Sequence, residues 1–242
     1  MIQVFFKEVN NFFNSLTAYI VIAVFLTTIG LMMWVFPDTS VLAYGFADMD
    51  TLFRVGPYVF MFLVPAITMR MFAEEKKSGT QEILFTKPLN DLQIILGKYL
   101  ASVMLVLFSL IPTLLYYFSL YRLGSPPGNI DTAGVAGSYV GLILLGSVFA
   151  AIGLFSSSLT ENQVVAFIVS VFLCFILYDG FQSLASINAW SKIAALLQKL
   201  SLSYYYNDLS RGLIDTRSLV FFLSVIAFMI TLTKLVTGSR KW

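Results

Sequence analysis

The sequence has no histidine, a single cysteine and few charges: of 242 residues, 15 are Lys or Arg and 13 are Asp or Glu, 12% together. Each shortage excludes a class of function. With no histidine and Cys174 alone, there is no His/Cys metal set, no Cys/His nucleophile pair and no intrachain disulfide. A formal net charge of +2 without a dense Lys/Arg cluster makes no phosphate footprint, so nucleic acid is excluded as a partner. A charged fraction about half that of a soluble domain, beside 58% hydrophobic residues, excludes an ordinary soluble protein. The chain reads instead as an integral membrane protein in contact with the lipid bilayer, with Cys174 a small apolar residue inside a span. No Ser/His, paired-Asp or metal constellation supports an intramembrane enzyme. The start "MIQVFFKEVNNFF" lacks the basic region, apolar core and small-residue cleavage site of a secretory signal, so the N-terminus is expected to be retained.

What is present is a series of long apolar runs. About 20 helical residues cross a hydrocarbon core, and six runs qualify, near Leu16–Phe36, Phe53–Phe72, Leu92–Leu120, Val135–Ser157, Gln163–Gln182 and Ser218–Thr237. Backbone groups in lipid must bond within their own segment, and the alternating pattern of an outer-membrane barrel is missing, so the expected fold is all-α. Before the first span, Ile2, Phe5, Phe6, Val9, Phe12, Phe13 and Leu16 recur at helical spacing opposite Gln3, Lys7, Asn10, Asn11 and Asn14. That pattern predicts an interfacial helix over residues 1–15. The chain is read as one transmembrane domain, 1–242.

Six spans put both termini on one side, and basic flanks mark that side as cytoplasmic. It holds Lys7, then Arg70, Lys76, Lys77, Lys87 and Lys98 around the loop between spans two and three, and Lys234, Arg240 and Lys241 in the tail. The first outer loop sets Asp38, Asp48 and Asp50 against Arg54, and the second holds Arg122 and Asp131. The last outer segment, 183–217, departs from the rule with Lys192, Lys199, Arg211 and Arg217, which its length makes tolerable.

The charged insert between spans two and three, "EEKKSGTQEILFTKPLN", carries its own helix signals. Ser78 and Gln81 are spaced as a capping box, Gly79 permits a turn, and Pro88 stops a helix after Lys87. Between them lie the apolar Ile83, Leu84 and Phe85, with Glu74, Glu75 and Glu82 available to a basic surface. Asn90 and Gln93 form a second capping box that starts span three, helped by Asp91. Two readings stay open: an ordinary interfacial loop, or a docking element for a cytoplasmic partner.

The run "FAEEKKSGTQEILFTKPLNDLQIILGKYLAS" resembles the ABC-2 type permeases of ABC transporters, in which an acidic residue, a Gly-Thr-x-Glu stretch, a proline and a Gly-Lys pair recur between spans two and three. Here these are Glu75, Gly79, Thr80, Glu82, Pro88, Gly97 and Lys98. The pattern continues in "LFSSSLTENQVVAF" and "YYYNDLSRGLIDTRSLVFFLS", and the order of six spans agrees. Within the family the wording is most similar to the gliding-motility-associated permeases. The resemblance implies that residues 74–90 form a coupling helix, with Glu74, Glu75, Gly79, Thr80, Glu82, Ile83, Leu84 and Pro88 docking on a separate ABC ATPase subunit. It also implies a second permease subunit, identical or different, ATP and Mg bound by the ATPase, and in a gliding system a periplasmic-domain motility partner. This chain has no G-x-x-x-x-G-K-[ST] loop, so it is expected to bind no cofactor of its own and not to be the enzyme. Its Gly97–Lys98 pair lacks the preceding glycine and reads as a membrane-border lysine.

Smaller signals have competing readings. Gly134, Gly137, Gly141, Gly146, Ala150 and Gly153 give span four a small-residue face, for packing within the protomer or for a dimer seam. Arg70 suits headgroup contact or an acidic neighbour rather than substrate. Asp179, near the outer end of span five, needs an interface or a wet cavity. Ile187, Trp190, Ile193, Ala194, Leu197 and Leu200 are helically spaced in the outer segment, where the family places short re-entrant or interfacial helices. Asp179, Tyr204, Tyr205, Tyr206 and Arg211 are therefore candidates for an outer gate, with interface anchoring the competing role of the tyrosines. Two function classes follow: an ATP-driven permease, or a membrane scaffold or energy-transducing subunit that acts on a partner protein without moving a solute.

Overall fold

A computed structural model of the chain describes residues 1–80, 90–187, 193–212 and 215–238. Among these residues every regular element is helical, and six helices are long and apolar enough to cross a membrane. The spans are Leu16–Trp34, Asp50–Lys77, Asp91–Leu123, Thr132–Leu159, Gln163–Ala185 and Thr216–Gly238, within a few residues of the ranges read from hydropathy except at the end of span two. There helix continues to Lys77, so Glu74 and Glu75 belong to the second span's extension and not to a separate insert.

Local chemistry explains the boundaries. Helix α1 (Ile2–Asn14) ends at Ser15, whose extended backbone (φ −102°, ψ 149°) breaks the path before α2 (Leu16–Trp34), the first span. A short turn α3 (Val41–Tyr44) closes at Gly45 with φ 69°, a conformation that glycine adopts without strain. Span two is α4 (Asp50–Thr68) followed by α5 (Arg70–Lys77), with Pro57 and Pro65 inside α4 and a break at Met69. Span three starts at the expected capping box, where Asn90 N donates to Gln93 Oε1 at 3.4 Å. Pro112, which has no N–H, converts its middle to a 3₁₀ turn over Ile111–Thr113. Asp131 and Asn162 cap spans four and five by accepting from Gly134 N (3.0 Å) and Val164 N (2.9 Å).

Span four is the axis: 78% of its apolar stretch is buried, against 22–28% for spans one, five and six. Its glycine face is used inside the protomer. A Cβ on Gly146 would lie 2.7 Å from Val106 Cγ1, one on Gly141 2.9 Å from Leu209 Cβ, and one on Gly137 2.8 Å from Gly212 Cα. A Cβ on Gly153 would fall on the Thr68 hydroxyl, which is anchored to Val64 O at 3.0 Å. Helices can approach this closely only where side chains are absent. Gly153→Val should therefore destabilise the protein by about 1–3 kcal/mol through overpacking, whereas Gly238→Ala, facing open space, should be neutral; thermal unfolding of the purified protein in one detergent compares them.

Candidate functional site

Two polar regions interrupt the apolar body, one at the end that carries α1 and one at the opposite end. At the first, Lys98 is completely buried. Its ammonium donates to Glu8 Oε1 at 3.0 Å, Glu75 Oε1 at 2.8 Å and Met71 O at 2.7 Å, and lies 5.1 Å from the centre of the Phe72 ring. An ammonium has three donors and all three are used. Lys7 joins the same carboxylates, 3.3 Å from Glu75 and 3.6 Å from Glu8, so two cations face two anions. Beside it, Gly97 lets α1 close in: a Cβ there would be 3.0 Å from Val4 Cβ and 3.1 Å from Met1 O.

This node corrects several expectations. Lys98 is no membrane-border lysine, because its charge is spent inside the protein and adds nothing to a basic flank. Glu75 does not offer itself to an outside basic surface, since its carboxylate is turned inward onto Lys98 and Lys7. The face of α1 that packs on span three is Val4, Glu8 and Phe12, while Ile2, Phe6 and Leu16 are exposed. A glutamate thus sits in the middle of the i, i+4, i+8 stripe, and pairing with Lys98 is what makes that burial tolerable.

Helix α5 is braced on its other side by span four. At the Met69 break the Ser157 hydroxyl accepts from Phe72 N (3.0 Å) and Ala73 N (3.1 Å) and donates to Met69 O (2.8 Å). A side chain from a neighbour thus replaces helix bonds that the break removes. Lys76 Nζ donates to Ser158 O, placing a cation at the C-terminus of span four, the favourable end of its dipole.

Of the proposed docking residues, Glu74, Gly79 and Thr80 are exposed at the tip of α5 and Glu75 is not. Gly79 makes the expected turn with φ 68°. Ser78 ends α5: its hydroxyl donates to Glu74 O (2.9 Å) and pairs with Thr80 Oγ1 (2.8 Å). Glu82, Ile83, Leu84 and Pro88, with Gln81 of the first capping box, lie outside the described residues. Arg70 lines a cavity of about 500 Å³ between α1 and α5, together with Lys7, Asn11 and Glu74.

The opposite end holds a polar cavity of about 410 Å³ among span two, span five and the Leu202–Leu209 helix. Asp179 reaches it from a π turn, Ile176–Gly180, that interrupts span five. Ser201 Oγ donates to Tyr178 O (2.6 Å) in that turn and Ser203 Oγ to Gln182 Oε1 (2.5 Å) just beyond it, pinning the Leu202–Leu209 helix onto this part of span five. Tyr206 is buried and donates to Phe53 O at 2.7 Å. Burial first, then the neighbouring Tyr178 and Asp50, push its phenol well above the ordinary range, so it stays a donor at physiological pH.

The cavity gathers Asp179, Tyr206 and Arg211 and leaves out Tyr204 and Tyr205. Tyr205 stacks on Phe221 of span six, centroids 4.2 Å apart, and Tyr204 stands edge-on to Tyr205, partly exposed. Successive helical residues point about 100° apart, so three consecutive tyrosines cannot share one wall. Sequence reasoning missed Asp50, Arg54 and Tyr58, which enter the cavity from α4. Asp50 and Arg54 carried a signal in their i, i+4 spacing, and they form an ion pair at 2.6 Å.

Compared with known proteins, residues 46–238, which are 193 of the 242, match the family model described as ABC-2 family transporter protein. No curated protein matches the chain. The match begins after the first span, so Glu8 ties a helix outside the matched region to Lys98 and Glu75 within it.

Lys98→Met should cost about 3–5 kcal/mol, because it leaves two carboxylates at a buried node with only the exposed Lys7 to answer them. Adding Glu8→Gln and Glu75→Gln to Lys98→Met should recover part of that loss. Unfolding midpoints of the two variants in the same detergent measure the difference.

Proposed function

The chain belongs to the ABC-2 family of transporter proteins and is a membrane-spanning permease subunit of an ABC transporter, and from that premise we propose that α5 is the arm through which a separate ATPase drives it. The observation that carries this is the double bracing of α5, by Lys98 toward span three and α1, and by Ser157 and Lys76 toward span four. In this reading the ATPase, with its ATP and Mg, docks on residues 74–90. Glu74, Gly79 and Thr80 contribute from the end of α5, and Glu82, Ile83, Leu84 and Pro88 from the segment beyond it. Closure of the ATPase pushes on the arm, and the two braces carry the displacement into spans three and four. The α1 end then faces the cytoplasm of a bacterial cell and the Asp179 cavity faces outward as the gate, in an assembly with a second permease subunit. A gliding-motility-associated role, with export or mechanical work on a periplasmic partner as its output, is supported by the resemblance of the quoted stretches.

Leu84→Asp places a charge in the apolar part of the docking segment, and unpaired it costs several kcal/mol of contact. The variant should reach the membrane at wild-type level and lose ATPase co-purification, with Glu82→Gln milder. Ser157→Val breaks the brace without touching the docking segment, so it should retain the ATPase and lose the permease's effect on ATP hydrolysis. Retention of the ATPase by Leu84→Asp at wild-type level would sink the docking assignment.

Orientation has its own test. In a Cys174→Ala background, single cysteines at Ser125 and Ser186 should react with an impermeant thiol reagent added outside intact cells. Silence at both positions in a well-expressed protein would reverse or abolish the assigned topology.

A further inference from the structure

The outward cavity holds two acidic and two basic side chains, of which one acid and one base pair with each other. Asp50 and Arg54 neutralise each other across 2.6 Å. That leaves Asp179 on one wall and Arg211 on another, and neither carboxylate nor guanidinium has a hydrogen bond or ion pair among the described residues. Asp179 is partly buried in a membrane span, where an ionised carboxylate is costly unless water or a counter-charge answers it. Tyr58 and Tyr178, whose rings stand edge to face with centroids 5.7 Å apart, line the same cavity. A carboxylate that shares a cavity with two phenol rings suits an ammonium, which gains Coulomb attraction from the acid and quadrupole attraction from the rings.

Charge complementarity narrows the ligand. A simple cation would meet Arg211 elsewhere in the same cavity, and a simple anion would meet Asp179, so each would leave one wall opposed. A molecule with an ammonium at one end and an acidic group at the other satisfies both walls. The volume, about 410 Å³, holds a small polar molecule or a headgroup but not a large polymer segment.

We propose that the cavity bounded by Asp179, Tyr58, Tyr178 and Arg211 is a binding site for a zwitterionic amine, its ammonium at Asp179 and its phosphate or carboxylate at Arg211. The inference deepens the outer-gate reading by naming what the gate holds, and it rests on that reading only for the direction the cavity faces. Phospholipid headgroups and free amino-phosphates share this chemistry.

The test is calorimetric titration of the full chain in discs of phosphatidylglycerol, which supply no zwitterionic lipid. Phosphoethanolamine is the probe, with choline, inorganic phosphate and glucose as single-feature comparisons. Saturable binding of phosphoethanolamine is expected, at least tenfold tighter than choline or phosphate, with no binding of glucose. Asp179→Asn and Arg211→Gln should each weaken it at least tenfold, and Asp179→Glu should restore most of it. Repeating the titration in discs containing phosphatidylethanolamine names the source: competition places the ligand in the bilayer, and undiminished binding places it in water, either of which upholds the site. Absence of phosphoethanolamine binding, equal binding after Asp179→Asn, or tighter binding of glucose overturns it. No ATPase is present in this experiment, so its failure leaves the docking assignment standing, and failure of docking leaves this result interpretable.

Discussion

A fully buried ammonium fixes the architecture of one end of this molecule. Moving Lys98 out of water costs several kcal/mol, and that cost is met only if its three donors all find acceptors in one geometry. Glu8, Glu75 and the Met71 carbonyl supply them. The acceptors come from α1 and α5 and the donor from span three, so elements about 90 residues apart in sequence must meet at a point. Displacing any of them strands a charge. That demand gives α1 a fixed seat instead of a loose attachment at the membrane border, and it makes Gly97 necessary, since a side chain there would hold α1 away from the lysine next to it.

The second constraint is the opening of span two at Met69. A helix interrupted by Pro57 and Pro65 and then broken leaves backbone groups without ladder partners, which is expensive inside a membrane protein. The Ser157 hydroxyl supplies both an acceptor and a donor to those groups. Because these bonds run between helices, the joint is held by span four's position as well as by the last α4 ladder bond, Met69 N to Pro65 O at 2.9 Å. Helix α5 leaves the break with its backbone satisfied and its angle dependent on a neighbour. Lys76, further along α5, adds a charge-assisted contact to the last turn of span four.

Local and periodic features were legible in the sequence. Six apolar runs, the Asn90–Gln93 capping box, the Gly79 turn and the glycine face of span four follow from helix geometry and chain chemistry, and each appears where expected. Long-range features were not legible. Hydropathy cannot tell a lysine at a membrane border from one folded back onto two glutamates, because the partners lie 90 and 23 residues away. The same limit hid the role of Glu8, which sits on the packed face of α1 and not on its polar one. At the other end, adjacency in sequence suggested one tyrosine cluster, and helix rotation divides it, Tyr206 to the cavity and Tyr205 to Phe221.

The two polar ends are joined by a close helix contact. Helix α4 meets span four along its glycine face, with Gly153 against Thr68 near the Met69 joint and Gly56 against Leu142 toward the far end. Contacts of this kind contain few rotatable side-chain atoms, so they transmit displacement with little local adjustment. At its far end α4 carries the Phe53 carbonyl that receives the Tyr206 phenol, and the ion pair of Asp50 and Arg54 on the cavity wall. Span four meets the same Tyr206 helix through Gly141 and Leu209, and Gly137 meets the backbone of Gly212 just beyond it. A push on α5 that tilts α4 against span four must therefore either break the Tyr206 bond or carry the Leu202–Leu209 helix along. Since Ser201 and Ser203 tie that helix to Tyr178 and Gln182 of span five, the three walls of the cavity move together while the Tyr206 bond holds, and the cavity changes shape when that bond breaks.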